Sequence, residues 1–199
     1  MTDNRRGRPR ERGIDDAVRS AVNDLLGEVG YQRCTVDAIA ARAGVGKAAL
    51  YRRWKSKAEL VFAAAIHDDA LASPADTGTL RGDVGEVLAA IQSSLDGPQV
   101  RSALPGLLAD VQADPGLAAR FGEVFLARER AYLVEMLDRA VARGELTRQP
   151  DLVAIHAMLL GSVFAWLHLL QEPTPSAGLA DVLAKPIHAG LRALADEPE

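Results

Sequence analysis

The chain has 199 residues, 48% hydrophobic and 25% charged, a balance that permits a buried core and excludes wholesale disorder, while its Ala, Leu and Val content with only 5% aromatics favours helices over sheets. One cysteine excludes an internal disulfide, and the N-terminal stretch MTDNRRGRPRERG lacks the apolar run of a signal peptide or anchor, so a cytoplasmic protein is expected. The net charge of −4 is unevenly spread: residues 1–60 carry thirteen Lys and Arg against eight Asp and Glu, and the remainder ten against nineteen, which predicts a basic module that meets a polyanion and an acidic module with another task.

Residues 1–12, with Arg5-Arg6-Gly7-Arg8-Pro9-Arg10, read as a flexible basic arm. Its Gly-Arg-Pro core is similar to the AT-hook, which lays arginines in a narrow A·T minor groove, so Arg6, Arg8 and Arg10 are candidate DNA contacts. Ile14, Ala17, Val18, Ala21, Val22, Leu25, Leu26 and Val29 then recur at helical spacing, and Gly30 closes that helix. Thr35 is an N-cap for a second helix through Val36, Ile39 and Ala43. Gly44-Val45-Gly46 breaks it, Lys47 to Trp54 forms a third, and Ser56-Lys57-Ala58-Glu59 is a capping box that opens a fourth, expected to run to about Leu71. Further helices are predicted from Thr79, through Val100 to Val111 with Pro105 inside, from Asp114-Pro115 to Gly144, from Leu152 to Leu170, and from Leu179 to Leu194 with Pro186 inside. No strand pattern appears, so the fold class is all-α with about nine helices.

Two short helices joined by a Gly-containing turn behind a longer amphipathic helix form a helix-turn-helix, whose second helix enters the DNA major groove. In Gly46–Trp54, Leu50 and Trp54 share one face and are expected to pack inward. That leaves Lys47, Ala48, Ala49, Tyr51 and Arg52 to face DNA.

The segment TVDAIAARAGVGKAALYRRWKSKAEL resembles the N-terminal domain of TetR-family (tetracycline-repressor-like) transcriptional regulators: Thr35, Ile39, Ala40, Ala43, Gly44, Val45, Leu50, Tyr51, Arg53, Trp54, Ser56, Lys57 and Leu60 all fall on that pattern. Gly46 departs from the commoner Ser, which weakens the cap of the third helix by a few tenths of a kcal/mol, roughly. LPGLLADVQADPGLAARF and LDRAVARGEL are similar to one C-terminal subgroup of the family. The resemblance implies that Thr35, Tyr51 and Lys57 touch phosphates with Arg53 nearby, while Lys47, Ala48, Ala49 and Arg52 face the bases. A Lys or Arg there would donate to guanine O6 and N7, and an Ala would meet a thymine methyl.

The resemblance also implies residues 13–70 as the DNA-binding domain and 71–199 as the domain that dimerises and holds a ligand. Helical spacing places Phe121, Phe125, Tyr132 and Met136 on one side of a long helix. With Leu104, Leu107, Leu108, His156 and Trp166 they are the candidate pocket for a mostly apolar effector. The segment Leu152–Leu170, 19 residues without a formal charge, has the length of a membrane span. His156, Ser162 and His168 are costly in lipid, so burial between helices or subunits is expected instead, with Leu159, Gly161, Val163, Leu167, Leu183, Ile187 and Leu191 at a dimer interface. Cys34 is expected as a small packed residue, and His67, Asp68 and Asp69 as a solvated helix end. No catalytic, metal or cofactor motif appears. The expected partners are double-stranded palindromic operator DNA, an unknown small-molecule effector and a second copy of the chain, with no membrane. The expected function is a one-component regulator, most simply a repressor. An architectural DNA-binding protein without an effector and a helical enzyme are the alternatives.

Overall fold

The apolar stripe of the first helix is the surface on which the N-terminal part of the molecule is built. The computed structural model describes residues 8–66, 76–170 and 172–196. Among them lie ten α-helices: α1 (Arg8–Arg33), α2 (Val36–Ala43), α3 (Lys47–Arg53), α4 (Lys57–Ala65), α5 (Leu80–Leu95), α6 (Pro98–Ala113), α7 (Pro115–Phe121), α8 (Ala127–Ala142), α9 (Leu152–Phe164) and α10 (Leu179–Asp196). Two π-helical segments, Gly122–Leu126 and Ala165–Leu170, stand between α7 and α8 and after α9. The expected all-α fold is observed among the described residues, with ten helices where the periodicity gave about nine. The predicted helix from Asp114 to Gly144 is split by the first π-helical segment.

The chain forms two compact units, Met1–Asp69 with Gly97–Phe121, and Ala70–Asp96 with Gly122–Glu199. Helices α6 and α7, expected with the C-terminal domain, therefore belong to the N-terminal unit. In that unit Val18, Ala21, Val22, Leu25 and Leu26 of α1 are buried, and α2, α4 and α6 all pack on α1. Gly30 is non-helical at φ 71°, a conformation that favours glycine, and it ends the first run of α1 before Tyr31 turns into the core. The Tyr31 hydroxyl donates to Asp110 Oδ2 of α6 at 2.6 Å. One turn earlier on α6, a Cβ placed on Gly106 would lie 2.3 Å from the Tyr31 ring, so this close approach admits only glycine. The backbone is already helical from Arg8, so residues 8–12 belong to α1 rather than to an extended arm, and Pro9 sits in the first turn where its missing N–H has no helical partner to lose.

In the C-terminal unit α5 is central, packed on α8, α9 and α10. Its start is fastened by a buried carboxylate. Asp83 Oδ1 accepts from the Thr77 amide at 2.8 Å and the Thr77 hydroxyl at 2.7 Å, and Oδ2 from Arg143 Nη2 at 3.0 Å. Arg143 also reaches Glu145 Oε1 at 2.6 Å and Asp76 at 3.1 Å, and Glu145 accepts the first amide of α5, that of Leu80. Burial alone would push the Asp83 carboxyl up, but the Thr77 bonds and the Arg143 guanidinium outweigh it and hold the group below the ordinary aspartate value.

Two predictions follow from these junctions. Asp83→Asn should lower unfolding free energy near neutral pH by about 2 kcal/mol, because a carboxylate with charge-assisted bonds is lost from the core. Because the folded carboxyl titrates below its unfolded value, its contribution is present above about pH 4 and is lost as the pH falls further, so the variant's stability should vary less with acid than the wild type's. Urea titrations from neutral to acid pH read both effects, and parallel pH curves for the two proteins would refute the second. Gly106→Ala should destabilise by roughly 1–3 kcal/mol through overpacking against Tyr31, measured by thermal unfolding.

Candidate nucleic-acid interface

Local chemistry sets the α2–α3 hairpin. Thr35, extended at φ −101°, accepts the Ala38 amide on its hydroxyl oxygen at 3.2 Å and starts α2. Gly44 ends it in the left-handed region at φ 65°, and the Val45 amide returns to the Ala40 carbonyl at 3.0 Å. The chain re-enters a helix at Lys47 with Gly46 as N-cap and no side chain capping it. Ile39 and Leu50 are fully buried, which fixes how the two helices cross.

With Leu50 inward, the opposite side of α3 is presented to solvent. Lys47, Ala48, Tyr51 and Arg52 are exposed and Ala49 is half-buried, while Trp54 is half-buried at the C-cap. Thr35 is exposed beside them in sequence order at the start of α2. Arg52 has no ion-pair partner among the described residues. The remaining cations are engaged: Lys47 Nζ lies 2.6 Å from Asp37 Oδ1, Arg53 pairs with Asp15 of α1, and Arg42 makes a two-pronged pair with Glu28 at 2.6 and 2.8 Å. The hydrogen bond to Asp37 holds the Lys47 ammonium above the ordinary lysine value. Lys47 Nζ is also 5.9 Å from the Tyr51 ring centroid. These acidic partners escape a sequence reading. Asp37 and Lys47 both sit in the first turns of their helices, but only the crossing of the two helices makes them neighbours.

The turn into α4 is held twice. Ser56 accepts the Glu59 amide at 3.1 Å, as a capping box requires, but Glu59 Oε2 accepts from the Lys55 amide at 2.6 Å, one residue earlier than the pattern predicts. The other oxygen, Oε1, accepts from Arg120 Nε of α7 at 2.6 Å. Lys57 donates to the Tyr31 carbonyl at 3.2 Å and stands 3.9 Å over the Tyr31 ring, so one of its three N–H groups is committed to the protein. Cys34 is fully buried, and burial pushes its thiol up. Arg6 and the stretch His67 to Asp69 lie outside the described residues, and of Arg8 and Arg10 the backbone alone is described.

The candidate effector residues are divided between the two units. Leu104 and Leu107 are buried in the N-terminal unit, Leu108 is 39% exposed, and the Phe121 ring meets Phe62 of α4 edge-on with centroids 4.8 Å apart. Met136 is fully buried and Tyr132 and Trp166 half-buried in the C-terminal unit. The side chain of Phe125 lies outside the described residues. The one-sided stripe through Phe121, Phe125, Tyr132 and Met136 needs correction, because the π-helical segment Gly122–Leu126 interrupts the 3.6-residue period on which it rests. His156, one of the candidate pocket residues, is buried with Nε2 2.9 Å from Glu129 Oε2. Trp166 Nε1 is shielded from solvent with no hydrogen-bond partner among the described residues. A groove of about 530 Å³ between α5 and α10 is lined by Thr79, Arg81, Gly82, Gln92, Leu179 and Asp181 among others, and by none of the candidate pocket residues.

The candidate dimer residues differ in exposure. Leu159, Val163, Leu167, Ile187 and Leu191 are buried inside their own unit because each lies on the inner side of its helix, and Leu183 is half-buried. Gly161 is exposed, with open space where a Cβ would stand. The apolar side chains presented to solvent are Val153, Leu169 and Leu170 of the Leu152–Leu170 stretch and Val182 of α10. That stretch is long and apolar enough to cross a membrane by length and composition.

Residues 19–64 match the family described as bacterial regulatory proteins, tetR family, and residues 74–185 the tetracyclin repressor-like C-terminal domain. The chain is 32% identical over 184 residues to the HTH-type transcriptional regulator YdeS of Bacillus subtilis strain 168, a match covering 90% of each chain. It is 40% identical over 127 residues to the HTH-type transcriptional regulator Rv1556 of Mycobacterium tuberculosis strain H37Rv, and that match covers 62% of this chain and 60% of the relative. Among solved structures, a TetR-family regulator from Rhodococcus sp. superposes with a TM-score of 0.58 at 22% identity, over 93% of this chain and 100% of the other. The hairpin geometry, both domain matches and the near full-length relative agree, and the chain belongs to the tetR family of bacterial regulatory proteins.

Proposed function

We propose that this protein is a one-component transcriptional repressor of the cytoplasm. In this reading two copies bind a palindromic double-stranded operator through α3 and leave it when a mostly apolar small molecule binds the C-terminal domain. One observation carries the DNA-binding reading: α3 buries Leu50 against its own unit and turns Lys47, Ala48, Tyr51 and Arg52 outward, the arrangement a major-groove helix needs. Lys47 and Arg52 are the candidate donors to guanine, with Ala48 and Ala49 against thymine methyls, and Thr35, Tyr51, Arg53 and Lys57 position the module on phosphates. Arg6, Arg8 and Arg10 add attraction for the backbone. A second copy is supported by the exposed Val153, Leu169, Leu170 and Val182, apolar groups that water does not stabilise and that a two-fold pairing would cover. Two recognition helices must then sit about one helical turn of DNA apart, roughly 34–36 Å. The effector reading is supported by the aromatic and Met side chains of the C-terminal unit and by Trp166 Nε1, a shielded donor with no hydrogen-bond partner among the described residues that a buried ligand acceptor would complete. No cofactor, metal or catalytic role is assigned.

Two experiments test this reading. In a selection from randomised duplexes, Arg52→Ala should relax preference at one or two base pairs at a cost of about 1–3 kcal/mol on the selected site, whereas Tyr51→Phe should weaken all duplexes alike. Identical, sequence-independent losses in both would refute the division into base readers and phosphate contacts. For the effector, hydrophobic metabolites and antibiotics are screened by thermal shift. A stabilising compound should weaken operator binding by the same factor as operator weakens its own binding. Trp166→Phe should blunt that response while retaining wild-type operator affinity. A compound that binds tightly yet leaves DNA affinity unchanged would favour an architectural protein over a ligand-released repressor.

A further inference from the structure

The recognition face carries a negative charge that none of its assigned roles uses. Asp37 stands in the first turn of α2, two residues after the capping Thr35, with its side chain 71% exposed. Its Oδ1 is 2.6 Å from Nζ of Lys47, the first residue of α3, whose own side chain is 50% exposed. A carboxylate on a surface that approaches phosphates is repelled by them, so its presence on this face calls for a compensating gain. Lysine is a point charge on a flexible four-carbon stem, and left alone it neutralises whichever phosphate is near, irrespective of sequence. Held by Asp37, its ammonium is fixed at the start of α3, beside the Tyr51 ring, with N–H groups still free to donate outward.

Resting on the reading of α3 as the base-reading helix, we infer that Asp37 is a specificity-determining residue that acts through Lys47. It positions the ammonium for a guanine edge and cancels its charge toward phosphates. Sequence-blind binding is thereby weakened more than binding to the correct site, and the ratio of the two rises. The Arg53–Asp15 and Arg42–Glu28 pairs do not serve this purpose, because neither involves a residue that α3 turns toward the bases.

The test uses the full chain and two probes: the duplex recovered from a randomised library by the wild-type protein, and a scrambled duplex of equal length. Affinities are measured across a salt series for wild type, Asp37→Asn, Asp37→Glu, Lys47→Ala and the Asp37→Asn/Lys47→Ala double variant, with melting temperatures to confirm that each is folded. Asp37→Asn should bind the scrambled duplex about threefold tighter or more at moderate salt and steepen the salt dependence by about one unit per half-site, the signature of one further phosphate neutralised. It should also lose at least about fivefold of the base preference at the positions that Lys47→Ala relaxes. Asp37→Glu should retain most of the wild-type preference, and the double variant should match Lys47→Ala in base preference while binding both duplexes somewhat tighter, since an unpaired carboxylate is removed. If Lys47→Ala relaxes a preference but Asp37→Asn changes neither that preference nor the salt slope, the inference is overturned while the base-reading role of α3 stands. If Lys47→Ala leaves every preference intact, the base-reading assignment of Lys47 fails and the inference fails with it.

Discussion

Tyr31 stands where three helices of the N-terminal unit meet, and the position of the recognition helix depends on how that junction is filled. Gly30, at a φ that a residue with a side chain would resist, turns the chain so that the ring enters the core. The hydroxyl donates to Asp110 on α6, the ring lies against the bare backbone of Gly106, and the Lys57 ammonium at the start of α4 caps its face. A phenylalanine would fill the same volume and leave the Asp110 carboxylate without its donor. Burial and the neighbouring Asp110 push the phenol well above its ordinary value, so the O–H stays a donor at any physiological pH. Since Lys57 follows the end of α3 by four residues, the anchoring of α4 on Tyr31 also limits where α3 can lie.

Glu59 supplies the second constraint on the same turn. A buried carboxylate is costly unless its lone pairs are satisfied, and here one oxygen takes the Lys55 amide and the other the Arg120 guanidinium. The chain leaving α3 is thus pinned through its own backbone to α4, and α4 in turn to α7, where Phe62 and Phe121 meet edge-on. Such rigidity suits a reading surface. Side chains on a short helix discriminate bases only if the helix itself does not shift, and α3, with seven residues and no side-chain cap, has little stability of its own.

The parts of this structure that were legible in the sequence are those set by local chemistry. Thr35, Gly44 and Ser56 each satisfy or terminate a helix end within three or four residues, so the order α1 to α4 follows from the chain itself. Long-range pairing carries no such local mark. Tyr31 and Asp110 are 79 positions apart, which is why α6 was expected elsewhere. The π-helical segment Gly122–Leu126 is likewise invisible, since its residues fit a 3.6-residue period well enough to pass for one long helix. In Leu152–Leu170 nearly every side chain is apolar, so hydrophobicity cannot say which side turns inward. Packing on the unit's own helices selects Ile155, Leu159, Val163 and Leu167, four apart, and leaves Val153 and Leu169 outside.

Charge shows the same limit in another form. The excess of Lys and Arg in residues 1–60 correctly pointed to a polyanion-binding module, yet a net charge does not say how many cations are available to one. Of the cations on or near the hairpin, Lys47, Arg53 and Arg42 are paired with acids and Lys57 is drawn onto Tyr31. Exposed pairs of this kind contribute little to folding. Their effect falls on binding, because a paired cation gives up part of its attraction for phosphate, which is the component of affinity that every sequence shares. A surface whose positive groups are partly neutralised in place therefore binds random DNA less than its composition implies. What remains is contributed by groups whose position is set by the fold, and position is what separates one base pair from another.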